Sequence, residues 1–255
     1  MFDLDIAIVT LASLFAGCVD AIVGGGGLIL VPALFGVFPN APPASLLGTN
    51  KATSVWGTGW ATVQFARRVR LPWNALLPAA GVAVCSSFAG AWALTLVSAG
   101  GMRKALPLVL LAVLVYTVIR KDMGLTHAPS RSGRTQVAIA SAIGGLIGLY
   151  DGFFGPGAGS FFVFAFVRLL GFDFLHASAS AKLLNTATNL AALALLAWKG
   201  HVWWHVAIFT AVANVIGSLL GTGLALKHGA GFVRLVFIVV VSALILKTGW
   251  DAFVR

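Results

Sequence analysis

Long apolar stretches alternate with short polar or proline-containing breaks along the whole chain. They predict ten helical segments, at 4–23, 26–38, 44–66, 73–97, 103–120, 137–154, 157–170, 176–198, 203–227 and 232–253. A helix needs about 20 apolar residues to cross the ~30 Å hydrocarbon layer of a bilayer. Most of these segments reach that length, so the pattern predicts an all-α membrane protein, a polytopic helical bundle.

The second half of the chain repeats the first at an offset of 131 residues. A G-x-x-D-x-x-x-G-x-G pattern begins at Gly17 and again at Gly148, and Lys51 and Gly90 recur in register as Lys182 and Gly221. We predict a first membrane repeat at 1–121, a polar connecting loop at 122–136 and a second membrane repeat at 137–255. Five segments per repeat is an odd number, so the second repeat is expected to be inverted relative to the first.

The second segment of each repeat is short. The run from Leu28 to Phe38 is too short to cross the bilayer as a helix, so it is either a half-helix or an extension through the preceding glycines. If both short segments were re-entrant, there would instead be eight spans, parallel repeats and cytoplasmic termini. We favour ten segments in two inverted repeats.

Composition agrees with a membrane location. Hydrophobic residues make up 59% of the chain and charged residues only 9%, whereas soluble domains carry about 25% charged residues. The net charge of +10 would suggest nucleic acid in a soluble protein. Here the basic residues lie between apolar runs, so they indicate topology rather than a nucleic-acid partner.

Basic residues divide unequally between the two faces of the ten-segment arrangement. One face receives Arg67, Arg68, Arg70, Arg120, Lys121, Arg131, Arg134, Arg168, Lys227 and Arg234, and the other receives only Arg103, Lys104, Lys199 and Arg255. Cytoplasmic loops are enriched in Lys and Arg. We therefore expect the first face to be cytoplasmic and both termini to lie outside a bacterial inner (plasma) membrane.

Each repeat carries one lysine in a polar stripe. Because charge inside a membrane span costs at least ~2.5–3.5 kcal/mol for Lys on insertion scales, such a stripe suggests a cavity rather than lipid. We expect both lysines to approach one central cavity that binds a small anion; the alternative is a lysine that snorkels to the interface or is held in a salt bridge. The predicted binding residues are Thr49, Asn50, Lys51, Ser54 and Thr58 in the first repeat and Lys182, Asn185, Thr186 and Asn189 in the second.

Glycine stretches precede both short segments, at Gly24–Gly27 and Gly155–Gly159. Glycine costs ~1 kcal/mol against Ala inside a helix, so we expect helix breaks whose freed N–H groups, at Gly25, Gly26 and Gly157, contribute to anion binding. The alternative is close helix packing by small residues. Asp20 and Asp151 each lie four residues before a stretch, where they would pair with a lysine, cap the broken helix or carry a proton.

No enzymatic or cofactor motif is present. The chain contains no Glu, no G-x-S-x-G and no H-E-x-x-H. Cys18 and Cys85 lie in apolar segments without a metal-ligand spacing. We therefore expect no catalytic residues, no metal and no cofactor.

The glycine-rich and lysine motifs resemble those of the TauE/SafE family of sulfite exporters, also called the four-TMS family. The resemblance lies in D-A-I-V-G-G-G-G-L at 20–28, T-N-K at 49–51, Y-D-G-F-F-G-P at 150–156 and A-K-L-L-N at 181–185. It covers essentially the whole chain and implies a secondary transporter that exports sulfite, sulfoacetate or related organosulfonates.

The sequence thus predicts a secondary transporter, an exporter of small sulfur-containing anions, with the lipid bilayer and a second copy of the chain as further candidate partners. Two other functions stay open. An anion channel would use the same residues to line a pore, and a membrane enzyme or assembly protein would not transport at all.

Overall fold

The structure is a computed structural model that describes residues 2–97, 108, 111–112 and 133–253. The elements in this part of the chain are helical. They are α1 (Phe2–Val23), α2 (Gly27–Val37), α3 (Pro43–Arg68), α4 (Trp73–Leu94), α5 (Gly133–Phe153), α6 (Ala158–Ala165) with a π-helical turn (Phe166–Leu170), α7 (Phe174–Trp198) and α8 (Trp204–Phe253).

These helices confirm a helical membrane protein, with one correction to the predicted segments. Four helical stretches are long and apolar enough to cross a bilayer: Leu4–Ile22, Trp73–Leu94, Gly133–Phe153 and Trp204–His228. The predicted segments at 203–227 and 232–253 lie within the single helix α8, because Lys227 and His228 are compatible with a helix and no proline interrupts it. Most of the predicted segment at 103–120 lies outside the described residues.

The chain leaves the helical conformation at 24–26, between α1 and α2, and at 154–157, between α5 and α6. Gly24, Gly155 and Gly157 have φ values of 81°, 92° and 81°. Only glycine adopts such values readily, since it has no Cβ. The predicted interruptions at the two glycine stretches are therefore present, and α2 has 11 residues, about 16 Å at 1.5 Å per residue.

Contacts with α8 give the directions of α1 and α3. Ser13 and Thr53 both hydrogen-bond to Thr210, and Gly17 and Gly57 both lie against Asn214, four residues further along α8. The two helices therefore run parallel to each other and start at the same level. The intervening residues 24–42, which include α2, must return the chain to the level at which α1 began.

Helix α7 runs in the opposite direction to α3. Thr62 bonds to Thr186, Lys51 to Asn189, and Gly48 lies against Leu196. Residue numbers thus fall along α3 as they rise along α7, which is an antiparallel arrangement. Since α3 and α7 are equivalent elements at the 131-residue offset, this one pair of equivalent helices points in opposite directions.

The packing contacts themselves repeat at the same offset, and they join one half of the chain to the other. A methyl group on Gly90 would lie 2.1 Å from the carbonyl oxygen of Leu149, and one on Gly221 would lie 2.1 Å from that of Cys18. Ser87 donates to Thr188 O at 2.8 Å, and Ser218 donates to Gly57 O at 2.7 Å. The halves are interlocked, because α1 packs on α8 and α5 packs on α4.

These close approaches predict that Gly90→Ala and Gly221→Ala each destabilise the fold, because each methyl group must push a helix backbone away. Overpacking costs typically 1–3 kcal/mol. The matched controls are Gly81→Ala on α4 and Gly223→Ala on α8, where nothing lies within 4 Å of the added carbon. Thermal unfolding of the purified protein in detergent measures the effect. Equal melting temperatures for the tight and open positions would contradict the packing.

Candidate functional site

Lys51 lies in the first third of α3 and is 2% exposed. Its ammonium group donates to Asp151 Oδ1 at 2.7 Å and to Asn189 Oδ1 at 2.9 Å. Asp151, on α5, is equally buried. A lone ammonium group would be strongly destabilised here, and the carboxylate one ion-pair distance away compensates the charge.

Lys182, on α7, makes the equivalent contacts with the other half. It is 1% exposed, and it donates to Asp20 Oδ2 at 2.9 Å and to the Asp20 carbonyl oxygen. The second oxygen of the Asp20 carboxylate accepts from the backbone N–H of Gly26 at 3.3 Å. Asp20 therefore pairs with Lys182 and at the same time caps the backbone N–H group of Gly26 in the first helix break.

The two ion pairs are crossed between the repeats. Lys51 of the first half binds Asp151 of the second, and Lys182 of the second half binds Asp20 of the first. Each aspartate lies at the end of a helix that the glycines interrupt. Removing one partner of such a buried pair typically costs 3–5 kcal/mol, because the other charge is left without compensation.

The two helix breaks touch each other between these pairs. Ser160 N–H donates to Gly24 O at 3.1 Å, and a Cβ on Gly24 would lie 2.4 Å from the backbone of Gly159. A Cβ on Gly155 would lie 3.3 Å from the Lys51 Nζ atom. The lack of a side chain thus lets the backbone at Gly24 approach that of Gly159, and the backbone at Gly155 approach the ammonium group of Lys51.

The other predicted residues of the first repeat differ in burial and in whether their polar atoms are hydrogen-bonded. Thr49 and Thr58 are buried, but their hydroxyl groups donate to carbonyl oxygens of α3 itself, and Thr49 also accepts from Trp203 N–H. Ser54 is half-buried. Asn50 is 3% exposed, and its Oδ1 atom has no hydrogen-bond partner within the described chain.

In the second repeat the predicted residues lie closer to the ion pairs. Asn189 binds Lys51 directly, and its amide donates to Asn185 at 3.5 Å. Thr186 faces Thr62 instead. Gly25 and Gly26 lie in the first break, and Gly157 precedes α6 in the second.

Sequence reasoning missed a second buried polar group, on α8. Thr210, Asn214 and Ser218 face inward at intervals of four residues. Ser13 donates to Thr210 O at 2.7 Å, and Asn214 Nδ2 donates to Ser13 O at 3.2 Å. The four-residue spacing of polar residues in an apolar helix is the signal that would have found it.

A groove of about 480 Å³ lies between α3 and α8, away from the ion pairs. Its lining is mostly apolar, with Trp56 and Trp204 largely exposed at its walls. The remaining lining residues are Ala52, Ala207, Ile208, Ala211, Val212, Val215 and Ile216. Such a surface suits lipid, and no charged side chain is among the residues that line it.

Comparison with known proteins shows which family the chain is similar to. Residues 9–248 match the family model described as sulfite exporter TauE/SafE. The chain is 34% identical to the probable membrane transporter protein ORF9 of Sinorhizobium sp, over 95% of this chain and 91% of that protein. It is 33% identical to the probable membrane transporter protein YfcA of Escherichia coli K12, over 94% and 88%.

A probable membrane transporter protein of Haemophilus influenzae is 32% identical over 98% of this chain and its own full length. No solved structure matches the chain. A match that spans nearly all of the sequence, in a chain with apolar helices and buried charge pairs at helix breaks, identifies the class of protein. The chain belongs to the TauE/SafE family of membrane transporters.

Proposed function

We propose that this protein is a secondary transporter that exports small sulfur-containing anions, such as sulfite, sulfoacetate or other organosulfonates, across the inner membrane. The observation that carries the proposal is the pair of crossed, buried Lys–Asp contacts at two touching helix breaks. Charged residues inside a membrane protein are costly, and they usually mark a substrate or ion path.

The chemistry of the site suits an anion with several oxygens. Sulfite and sulfonate oxygens accept strong hydrogen bonds from ammonium groups. Lys51 and Lys182 supply the positive charge, and the amides of Asn50, Asn185 and Asn189 supply further polar contacts. Thr49, Ser54, Thr58 and Thr186, with the backbone at Gly25, Gly26 and Gly157, complete the proposed binding region. Asp20 and Asp151 hold the lysines while the anion is absent.

A carrier fits this site better than a channel. Both lysines are at most 2% exposed and closed by carboxylates, whereas an open pore requires charged groups that face water. An arriving anion must compete with an aspartate for its lysine. Transport should therefore saturate, and radioactive sulfite should exchange across proteoliposomes by counterflow.

The directions of the helices support inverted repeats. α1 and α3 run parallel, and α3 and α7 run antiparallel, which is the relation that the inverted arrangement requires. With parallel repeats and re-entrant short segments, α3 and α7 would run the same way. We propose that residues 122–136 and the face rich in basic residues lie in the cytoplasm and that both termini lie outside, with 1–121 and 137–255 as the two repeats. An external C-terminus also requires the chain to turn back between the predicted segments 203–227 and 232–253, where α8 is continuous.

Lys51→Ala should weaken sulfite binding roughly tenfold to a hundredfold, since a hydrogen bond to a charged group contributes about 1.5–3 kcal/mol. Lys182→Ala should weaken it too, because it leaves the Asp20 carboxylate without compensation. Ligand-induced shifts in melting temperature measure the affinity of the purified protein.

The matched control for both lysine variants is Lys199→Ala. Lys199 is exposed and its ammonium group donates to Thr95, so its loss removes a lysine outside the proposed site. Sulfite affinity unchanged in both site variants, or lowered equally in the control, would refute the proposed role of the two lysines.

The proposed topology predicts that a periplasm-active reporter enzyme fused after Arg255 is active and that a cytoplasm-active reporter fused there is silent. The periplasm-active reporter inserted at 125–130 should be silent, because the proposal puts that segment in the cytoplasm. A pair of fusions, one to a periplasm-active and one to a cytoplasm-active reporter, tests each position. A cytoplasm-active C-terminus would contradict the proposed orientation.

A further inference from the structure

We propose that the two Lys–Asp pairs have different tasks: the anion exchanges with Asp151 at Lys51, while the Lys182–Asp20 pair stays closed as an anchor. This inference rests on the proposed transport function and assigns unequal roles to two elements that the repeat makes equivalent. Four differences between the halves carry it.

The first difference is in how completely each carboxylate is bonded. Asp20 uses both oxygens, one toward Lys182 and one toward Gly26 N–H. Asp151 uses only Oδ1, and its buried Oδ2 atom has no partner within the described chain. An unsatisfied buried polar atom is destabilising, so the Asp151 pair is the one that gains from a rearrangement.

The second difference is in what else holds each lysine. Lys182 also donates to the backbone carbonyl of Asp20, an acceptor fixed at the end of α1. Lys51 instead donates to the side-chain amide of Asn189. The residue equivalent to Asn189 is Thr58, which bonds to its own helix. Lys51 is therefore held by a side chain that can rotate to follow it toward an anion.

The third difference is in the anchoring of the helix that carries each aspartate. Helix α1, with Asp20, is tied to α8 through Ser13, Thr210 and Asn214. The equivalent positions between α5 and α4 are Gly144, Ala79 and Ala83. Within the described residues of α4 and α5, no side-chain hydrogen bond joins the two helices, so a shift of α5 along α4 breaks none, whereas a shift of α1 along α8 breaks the bonds of Ser13.

The fourth difference lies in the second break itself. Tyr150 OH donates to Pro156 O at 2.5 Å, which fastens α5 to the start of α6. Val19 occupies the position equivalent to Tyr150 and has no such hydroxyl group. A shift of α5 would therefore carry the second break with it and move Asp151 away from Lys51, while the first break remains capped by Asp20.

Hydrogen–deuterium exchange on the wild-type protein in detergent tests the unequal roles, with sodium sulfite as the probe and sodium chloride at equal ionic strength as the control. Peptides over 148–158 and 17–27 are equivalent at the repeat offset, so each serves as the reference for the other. We expect sulfite to change exchange more in 148–158. An equal change in both, or a larger change in 17–27, would overturn the inference.

Replacing each pair by neutral residues gives a second test. Lys51→Met with Asp151→Asn should raise the dissociation constant for sulfite roughly tenfold to a hundredfold. Lys182→Met with Asp20→Asn should raise it by less than about tenfold but lower the melting temperature of the anion-free protein more. Both double variants remove one positive and one negative charge, so they are matched in net charge.

The outcomes separate this inference from the proposed function. Equal losses of sulfite affinity in the two double variants would overturn the division of roles and leave an anion transporter with a symmetric site. If sulfite binds the wild-type protein in neither experiment, the proposed substrate class itself falls. Should the Lys182–Asp20 double variant fail to fold, the exchange experiment on the wild-type protein still decides.

Discussion

The fold depends on the compensation of two lysines inside a membrane protein. Lys51 and Lys182 are at most 2% exposed, and among the described residues each pairs with an acid of the other repeat. Each is neutralised only when the two halves interlock, since its aspartate comes from the other half. Buried charges without partners are so costly that the pairs select this assembly over one in which the halves fold apart.

The glycines make that pairing possible. The aspartates lie where α1 and α5 stop, and the two breaks meet at Gly24 and Gly159 with almost no space between the backbones. A side chain at either position would hold the breaks apart and draw the carboxylates away from the lysines. The same residues therefore end a helix, allow a close contact and place an acid beside a base.

A repeat need not give two identical half-sites. The halves share their lysines, aspartates and several packing contacts, but they differ in the polar residues around them. Thr210 and Asn214 fasten α1, while the corresponding alanines leave α5 held by close packing alone. A repeat-based scaffold in which α1 is held by hydrogen bonds and α5 is not suits a carrier, because transport requires one part of the protein to move against another.

The sequence by itself determined the class and the charged residues of the site. Apolar length gave the helices, the 131-residue offset gave the repeats, and the glycines marked the breaks, because each of these is a local property or a direct comparison of positions. It also identified Asp20, Lys51, Asp151 and Lys182 as special, since charge is rare in so apolar a chain.

Only the tertiary structure decided which acid meets which lysine and which way the helices run. No local pattern distinguishes Lys51–Asp151 from Lys51–Asp20, because the choice depends on how the two halves of the chain pack together. The sequence also misplaced a boundary within α8, where polar residues continue the helix. The Oδ2 atom of Asp151, which has no hydrogen-bond partner within the described residues, is likewise a property of three-dimensional packing, and it is one of the features that distinguish two aspartates made equivalent by the repeat.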